Sequence, residues 1–156
     1  TATDYYGRAE IMDFITALDM SASALSAERT HINIISMNLA NAKTTRTPDG
    51  GPYKRRSVVT ESIEVDAPFK KHMESALDRE MRGVRVQAIA IDKRPPKMVY
   101  EPGHPDADQD GFVAYPDVNV VEEMAALMTA QRGYEANVTT MDSSKQMYNK
   151  ALEINR

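Results

Sequence analysis

The chain has 156 residues, enough for one globular core, and carries 19 Lys and Arg against 23 Asp and Glu, a net charge of −4. That acidic balance argues against a protein that lives on nucleic acid, for which a basic face is expected. Cysteine is absent, which excludes a disulfide framework and thiolate chemistry; no run approaches the roughly 18 apolar residues of a membrane span, so no direct membrane insertion is expected.

The first arm reads as a long amphipathic helix from Met12 to Asn41. Phe14, Leu18, Ser21, Leu25, Glu28, Ile32, Ile35 and Leu39 step by four and three in alternation, and six of these eight are apolar. At the helical rise this arm spans roughly 45 Å, more than a small core needs. Asn38 and Asn41 are poor in a helix interior but good at bonding backbone groups near a helix end.

All eight prolines and five of the seven glycines lie between 46 and 117, so this middle is expected to be turns and short strands. Thr47-Pro48-Asp49-Gly50-Gly51-Pro52 is a turn signal. Strand candidates are Ser57 to Val65, Val84 to Ile91, Lys97 to Tyr100 and Gly111 to Tyr115. Phe69 to Met81 fits a short helix as well as a loop.

The last arm, Asn119 to Ile154, repeats the helical stepping at Val120, Met124, Leu127, Gln131, Tyr134, Val138, Met141, Lys145, Tyr148 and Leu152, eight of which are apolar or aromatic. Asn119 is placed to cap its first turn, with Glu122 reaching back, and Glu122 and Glu123 suit the positive end of the helix dipole. Gly133 is either tolerated there or marks the close approach of a neighbour. The expected fold class is α+β: two long terminal helices forming a coiled-coil-like antiparallel pair, with a small β-rich middle domain. The domains are then 12–45, 46–117 and 118–156.

Chemical motifs are few. Asp106, Asp108 and Asp110 followed by Gly111 match the opening of a calcium loop, and Asp117 falls at its twelfth position. That position ordinarily carries a bidentate glutamate, and Pro102-Gly103-His104-Pro105 cannot form the entering helix. A polar turn accounts for the same letters. Lys54-Arg55-Arg56 and Lys70-Lys71 read as a solvated face or as ion-pair donors to a neighbouring subunit, with only Tyr53 at hand to stack on a base. His31, His72 and His104 lack metal-ligand spacing. No nucleophile motif, phosphate loop or paired-acid constellation stands out, so neither a catalytic residue nor a cofactor is assigned.

Ile34-Ile35-Ser36-Met37-Asn38-Leu39-Ala40-Asn41-Ala42 resembles the signature of bacterial flagellar rod and hook proteins, which centres on Asn38, Leu39, Ala40 and Asn41. Thr44 to Tyr53, Tyr100 to Asp108, and Val118 onward through the last helix resemble one rod member of that family from about Met12 to Ile154; members of that kind usually begin near Met12, so the resemblance implies that residues 1–11 are an extension. The resemblance implies a structural subunit of the flagellar basal body, inside the rod that crosses the periplasm. It implies export through the flagellar type III channel without a cleaved signal peptide. The implied partners are copies of itself, other rod proteins, and basal-body ring and export-gate proteins. Interface contacts would then fall on the seams: Phe14, Leu18, Leu25, Ile32, Ile35 and Leu39 in the first arm, and Met124, Leu127, Tyr134, Val138, Met141, Tyr148 and Leu152 in the last. Two other readings stay open on the residues alone: a coiled-coil adaptor with a calcium-binding loop, and an enzyme using Asp106, Asp108 or His104.

Overall fold

The computed structural model describes residues 2–64 and 82–154. Helix α1 runs Ala2–Ala40, followed by strands β1 (Arg56–Glu64), β2 (Arg82–Ile91), β3 (Lys97–Tyr100) and β4 (Phe112–Tyr115), and then by helix α2, Val120–Ile154. The class is α+β, as expected. All four strands form within two residues of the positions read from sequence. Helix α1 continues without a break through residues 2–11, ahead of the Met12 start expected for the first arm. The ambiguous Phe69–Met81 segment lies outside the described residues, as does Val65, the last position of the first strand candidate.

The strands form two two-stranded sheets, β1 with β2 and β3 with β4. The second is antiparallel, with Lys97 opposite Tyr115, Met98 opposite Ala114, Val99 opposite Val113 and Tyr100 opposite Phe112. Its loop closes at Gly111, whose φ of +81° is open to glycine at no steric cost. A Cβ at Gly111 would also stand 2.9 Å from Tyr100 Cε2, so both backbone and neighbour demand the small residue.

The helix ends are chemically defined. The backbone N–H of Asn41 and its side-chain Nδ2 both donate to the Met37 carbonyl, at 3.1 and 2.9 Å, and Thr44 N–H reaches the Asn41 carbonyl at 3.0 Å. These bonds satisfy carbonyls that the helix itself leaves open. At the start of α2, Asn119 Oδ1 accepts from Val121 N–H at 3.1 Å, the expected cap.

The chain groups into two compact units: residues 1–29, 60–86 and 132–156, and residues 30–59 and 87–131. Each draws on both helices and on the middle segment, so packing does not follow the punctuation at 46 and 117. In the first unit the Phe14 ring stacks on Tyr148 at 4.2 Å, and Glu28 lies beside Gly133, where a Cβ would sit 3.6 Å from its carboxylate. Ser23 Oγ accepts from Val84 N–H, and Arg85 pairs with Glu61.

Among the described residues, most of the buried side chains lie in the second unit. Ile34, Ile35, Tyr53, Val113 and Ala130 are buried there, together with the polar Asn38 and Glu123. An isoleucine so buried contributes about 1.5–3 kcal/mol.

Along α2 the covered positions are Glu123, Ala126, Leu127, Ala130, Gly133 and Asn137, followed by Val138, Met141, Ser144 and Tyr148, while Val120, Val121, Met124 and Met128 remain exposed. In its first turns the covered face is thus mostly small residues, offset by about one position from the apolar seam read in sequence, and from Val138 onward it coincides with the seam at Val138, Met141 and Tyr148. Small residues let backbones approach closely, leaving larger side chains on the flanks of the contact.

Candidate functional site

The second unit is organised around one side chain. Asn38 sits in the last turn of α1, 1% exposed, and all four of its hydrogen-bonding positions are filled. Its Oδ1 accepts from Tyr53 Oη–H at 2.9 Å and from Arg56 N–H at 3.0 Å. Its Nδ2 donates to the Arg56 carbonyl at 2.8 Å and to Glu123 Oε2 at 3.0 Å. A neutral amide offers two acceptor sites and two donors, so the group is saturated. By meeting both backbone groups of Arg56, the amide acts as a surrogate strand neighbour at the first residue of β1.

Glu123 completes the cluster. It lies in the first turn of α2 and is 2% exposed. Its second oxygen takes Arg55 Nε at 2.7 Å and a terminal Arg55 nitrogen at 2.6 Å. Short charge-assisted bonds of this kind are about twice as strong as neutral ones. The carboxylate was expected to serve the helix dipole; it also joins α2 to α1 and to the residues leading into β1. Burial pushes the Tyr53 hydroxyl above its ordinary range and Glu123 adds to this, while Arg56, whose guanidinium lies 5.9 Å from the ring centre, opposes it. Tyr53 is therefore a neutral donor at ordinary pH.

A second ionic group lies on the same unit. Arg94 bonds Asp92 at 2.6 Å and Asp117 at 2.9 Å, and this bonding holds the Asp92 carboxyl below its ordinary range. Asp92 N–H donates to the Arg55 carbonyl at 2.8 Å. Asp117, the twelfth residue of the calcium-loop match, is thus engaged with a cation of its own chain. In that loop Asp108 Oδ1 accepts the N–H groups of Asp110 and Phe112, and Asp106 Oδ2 accepts from Thr45 Oγ1 at 2.7 Å. These are the bonds of a polar turn. No group of three metal-ligating side chains occurs among the described residues.

The structure distributes the signature residues unequally. Asn38 is the centre of the cluster; Leu39 is half-buried and Ala40 exposed at the helix end; Asn41 closes the terminus and accepts from Thr44 Oγ1 at 3.2 Å. Of the seam positions, Ile35 is buried. Phe14, Leu18, Leu25, Ile32, Leu39, Leu127, Val138, Met141 and Tyr148 are half-buried, and Met124, Tyr134 and Leu152 stay exposed. Arg55, read as part of a solvated run or a donor to another subunit, is tied to Glu123 instead, and Tyr53 is buried rather than free to stack. The partners of Asn38 leave little trace in the sequence, since they lie 15, 18 and 85 positions away. The available signal was an acid at position 123 in helical register with Ala126 and Ala130, where a seam would put an apolar residue.

Residues 18–46 match the family described as Flagella basal body rod protein, and residues 109–154 match the Flagellar basal body rod FlgEFG protein C-terminal family. Similarity to whole proteins runs further. The flagellar basal-body rod protein FlgC of Borreliella burgdorferi is 42% identical over 150 residues, covering 92% of this chain and 98% of that protein. The chain belongs to the FlgC family of flagellar basal-body rod proteins. Within the FlgC family, the Salmonella typhimurium protein is 38% identical over 143 residues, covering 92% of this chain and 98% of its own, and the Bacillus subtilis protein 39% over 145, covering 90% and 97%. The two matched segments hold Asn38 and Glu123, while Tyr53, Arg55 and Arg56 lie in the stretch between them.

Proposed function

We propose that this chain is a structural subunit of the proximal flagellar rod, not an enzyme, and that it polymerises with copies of itself and with other rod proteins to carry torque across the periplasm. Full-length similarity to proteins named as basal-body rod components is the observation that carries this reading. The seams of segments 12–45 and 118–156 make helix contacts between subunits, and 46–117, displayed between them, is left to make contacts of its own. The two helices act as an antiparallel coiled-coil-like pair. In support, Phe14 meets Tyr148 and Glu28 meets Gly133, so partners fall along α2 as they rise along α1.

Exposed side chains fit an assembly component. Val121 is 75% exposed, Met124 49% and Met128 57%, and their spacing puts them on one face at the start of α2. Apolar groups of this size on one helix mark surface that a partner removes from water. No helix among the described residues is long and apolar enough to cross a membrane, which accords with a place in the rod reached by flagellar export. Ring and export-gate proteins are the further neighbours of such a position.

The test is genetic and structural. A motile host lacking its own copy of this gene should regain rods and swimming when the chain is supplied, and purified basal bodies should contain it. Rods that form without the chain, or basal bodies from which it is absent, would overturn the proposal.

A further inference from the structure

The face of the β3–β4 ribbon that points away from Val113 is more apolar than a water-facing sheet surface requires. Register places Tyr100 opposite Phe112 and Met98 opposite Ala114 on that face, and Met98, Tyr100 and Phe112 are 52%, 63% and 39% exposed. On the opposite face Val113 is 0% exposed, so the strand alternation has already supplied the core from its other side. The outer aromatics are held in place. Tyr100 and Phe112 meet edge to face at 5.4 Å, and the Tyr100 ring lies against Gly111. A fixed aromatic pair is a low-entropy surface for docking.

Charge identifies the occupant. Between Lys97 and Arg132 the sequence holds seven acids and no Lys or Arg. Asp108 is bonded to the backbone of Asp110 and Phe112, which fixes the acidic loop at the aromatic end of the ribbon. The same unit carries a basic turn, residues 43–56, in which Lys43, Arg46 and Lys54 are exposed and belong to no ion pair among the described residues. Thr45 and Asp106 tie this turn beside the acidic loop, yet those three cations leave the loop's charge uncompensated.

We propose that the aromatic face of the ribbon docks a second copy of this chain through that copy's basic turn, residues 43–56. The contact rests on the structural-subunit reading above and gives it a specific surface. Arg46 of the incoming copy lies over the Tyr100 ring, where a guanidinium is attracted to the π face. Lys54 meets the acidic rim at Asp110. Such a contact forms fast at low salt and weakens as salt screens it.

Two measurements on the full chain test it. A photoreactive benzoylphenylalanine is placed at Tyr100, and equal amounts of light and heavy isotope-labelled protein are mixed at low salt, irradiated and mapped by mass spectrometry. The expected product joins position 100 of one isotope form to a residue between 43 and 56 of the other. Separately, Asp110→Lys and Lys54→Glu should each weaken self-association in sedimentation by about tenfold, and a mixture of the two variants should recover part of it, because a reversed pair attracts again. Products confined to one chain, products reaching only α1 or α2, capture of a different rod protein in basal bodies, or no light–heavy product at low salt would each overturn the inference. A chain present in rods without the Tyr100 product defeats this contact alone. The Tyr100 product from a chain absent from rods defeats the functional reading and leaves the contact standing.

Discussion

Asn38 and Glu123, 85 positions apart, share a 3.0 Å hydrogen bond at a place where neither side chain meets water. One comes from the last turn of the first helix and the other from the first turn of the second. Between them hang the backbone of Arg56, the hydroxyl of Tyr53 and the guanidinium of Arg55.

Replacing Asn38 with Leu removes four bonds and strands both backbone groups of Arg56. Each buried polar group left unpaired costs about 1–3 kcal/mol, so the loss should reach about 3–5 kcal/mol. Asn38→Asp keeps the two accepted bonds but sets a carboxylate against Glu123 and the Arg56 carbonyl, and should also destabilise strongly. Urea unfolding followed by tyrosine fluorescence measures both. A loss below 1 kcal/mol for Asn38→Leu would show that the cluster does not hold the unit together.

Glu123→Leu should be costly because Arg55 loses its partner beside a buried site. Arg55 is 34% exposed and can swing into water, so the cost should fall near the low end of about 3–5 kcal/mol for a broken buried pair. Adding Arg55→Met should recover part of it, since an apolar pair of similar volume asks for no counter-charge. Thermal melts of the two single variants and the double variant decide the point; a double variant as unstable as the sum of the singles would contradict it.

Alkaline pH should loosen the same cluster. Burial, first among its causes, holds the Tyr53 hydroxyl above the ordinary tyrosine value of about 10, so the folded state holds that proton more tightly than the unfolded chain. Its contribution is complete below pH 10 and is lost as pH rises through the folded value. Tyr53→Phe should cost about 1 kcal/mol near neutrality, by deleting one bond to Asn38, and should flatten the decline above pH 10. Tyr115, raised by its bond to Glu101, accounts for the slope that persists. An unchanged slope in Tyr53→Phe would refute the assignment.

The two informative glycines should respond in opposite directions. Gly111→Ala meets a left-handed backbone and the Tyr100 ring at 2.9 Å, and should cost about 1–3 kcal/mol through strain. Gly133→Ala places its methyl 3.6 Å from the Glu28 carboxylate, ordinary contact, and gains up to about 1 kcal/mol of helix propensity. Melting temperatures moving the same way in both variants would show that the local geometry is misread.

Sequence punctuation and period located the strands because proline, glycine and alternating side chains act locally. It located the helices for the same reason. The covered face at the start of α2 escaped because period counting scores apolar residues, whereas this part is built on Ala126, Ala130 and Gly133, with Glu123 in the same register; farther along, Val138, Met141 and Tyr148 are covered seam positions. In those first turns the seam count therefore favoured Val120 and Met124, which flank the contact and stay exposed. Asn38 and Asn41 looked alike as two helix-end amides. Their roles separate only in three dimensions, because Asn41 bonds the turn beside it while the partners of Asn38 lie 15, 18 and 85 positions away.

That last separation has a consequence in time. The amide and the carboxylate meet only after a loop of 85 residues has closed, a slow event compared with winding either helix. A chain read out from its first residue presents Asn38, Tyr53 and Arg55 early, and the group that locks them arrives only with residue 123. Until then the amide is held open to water, and any fragment that stops short of that position lacks the means to finish the fold.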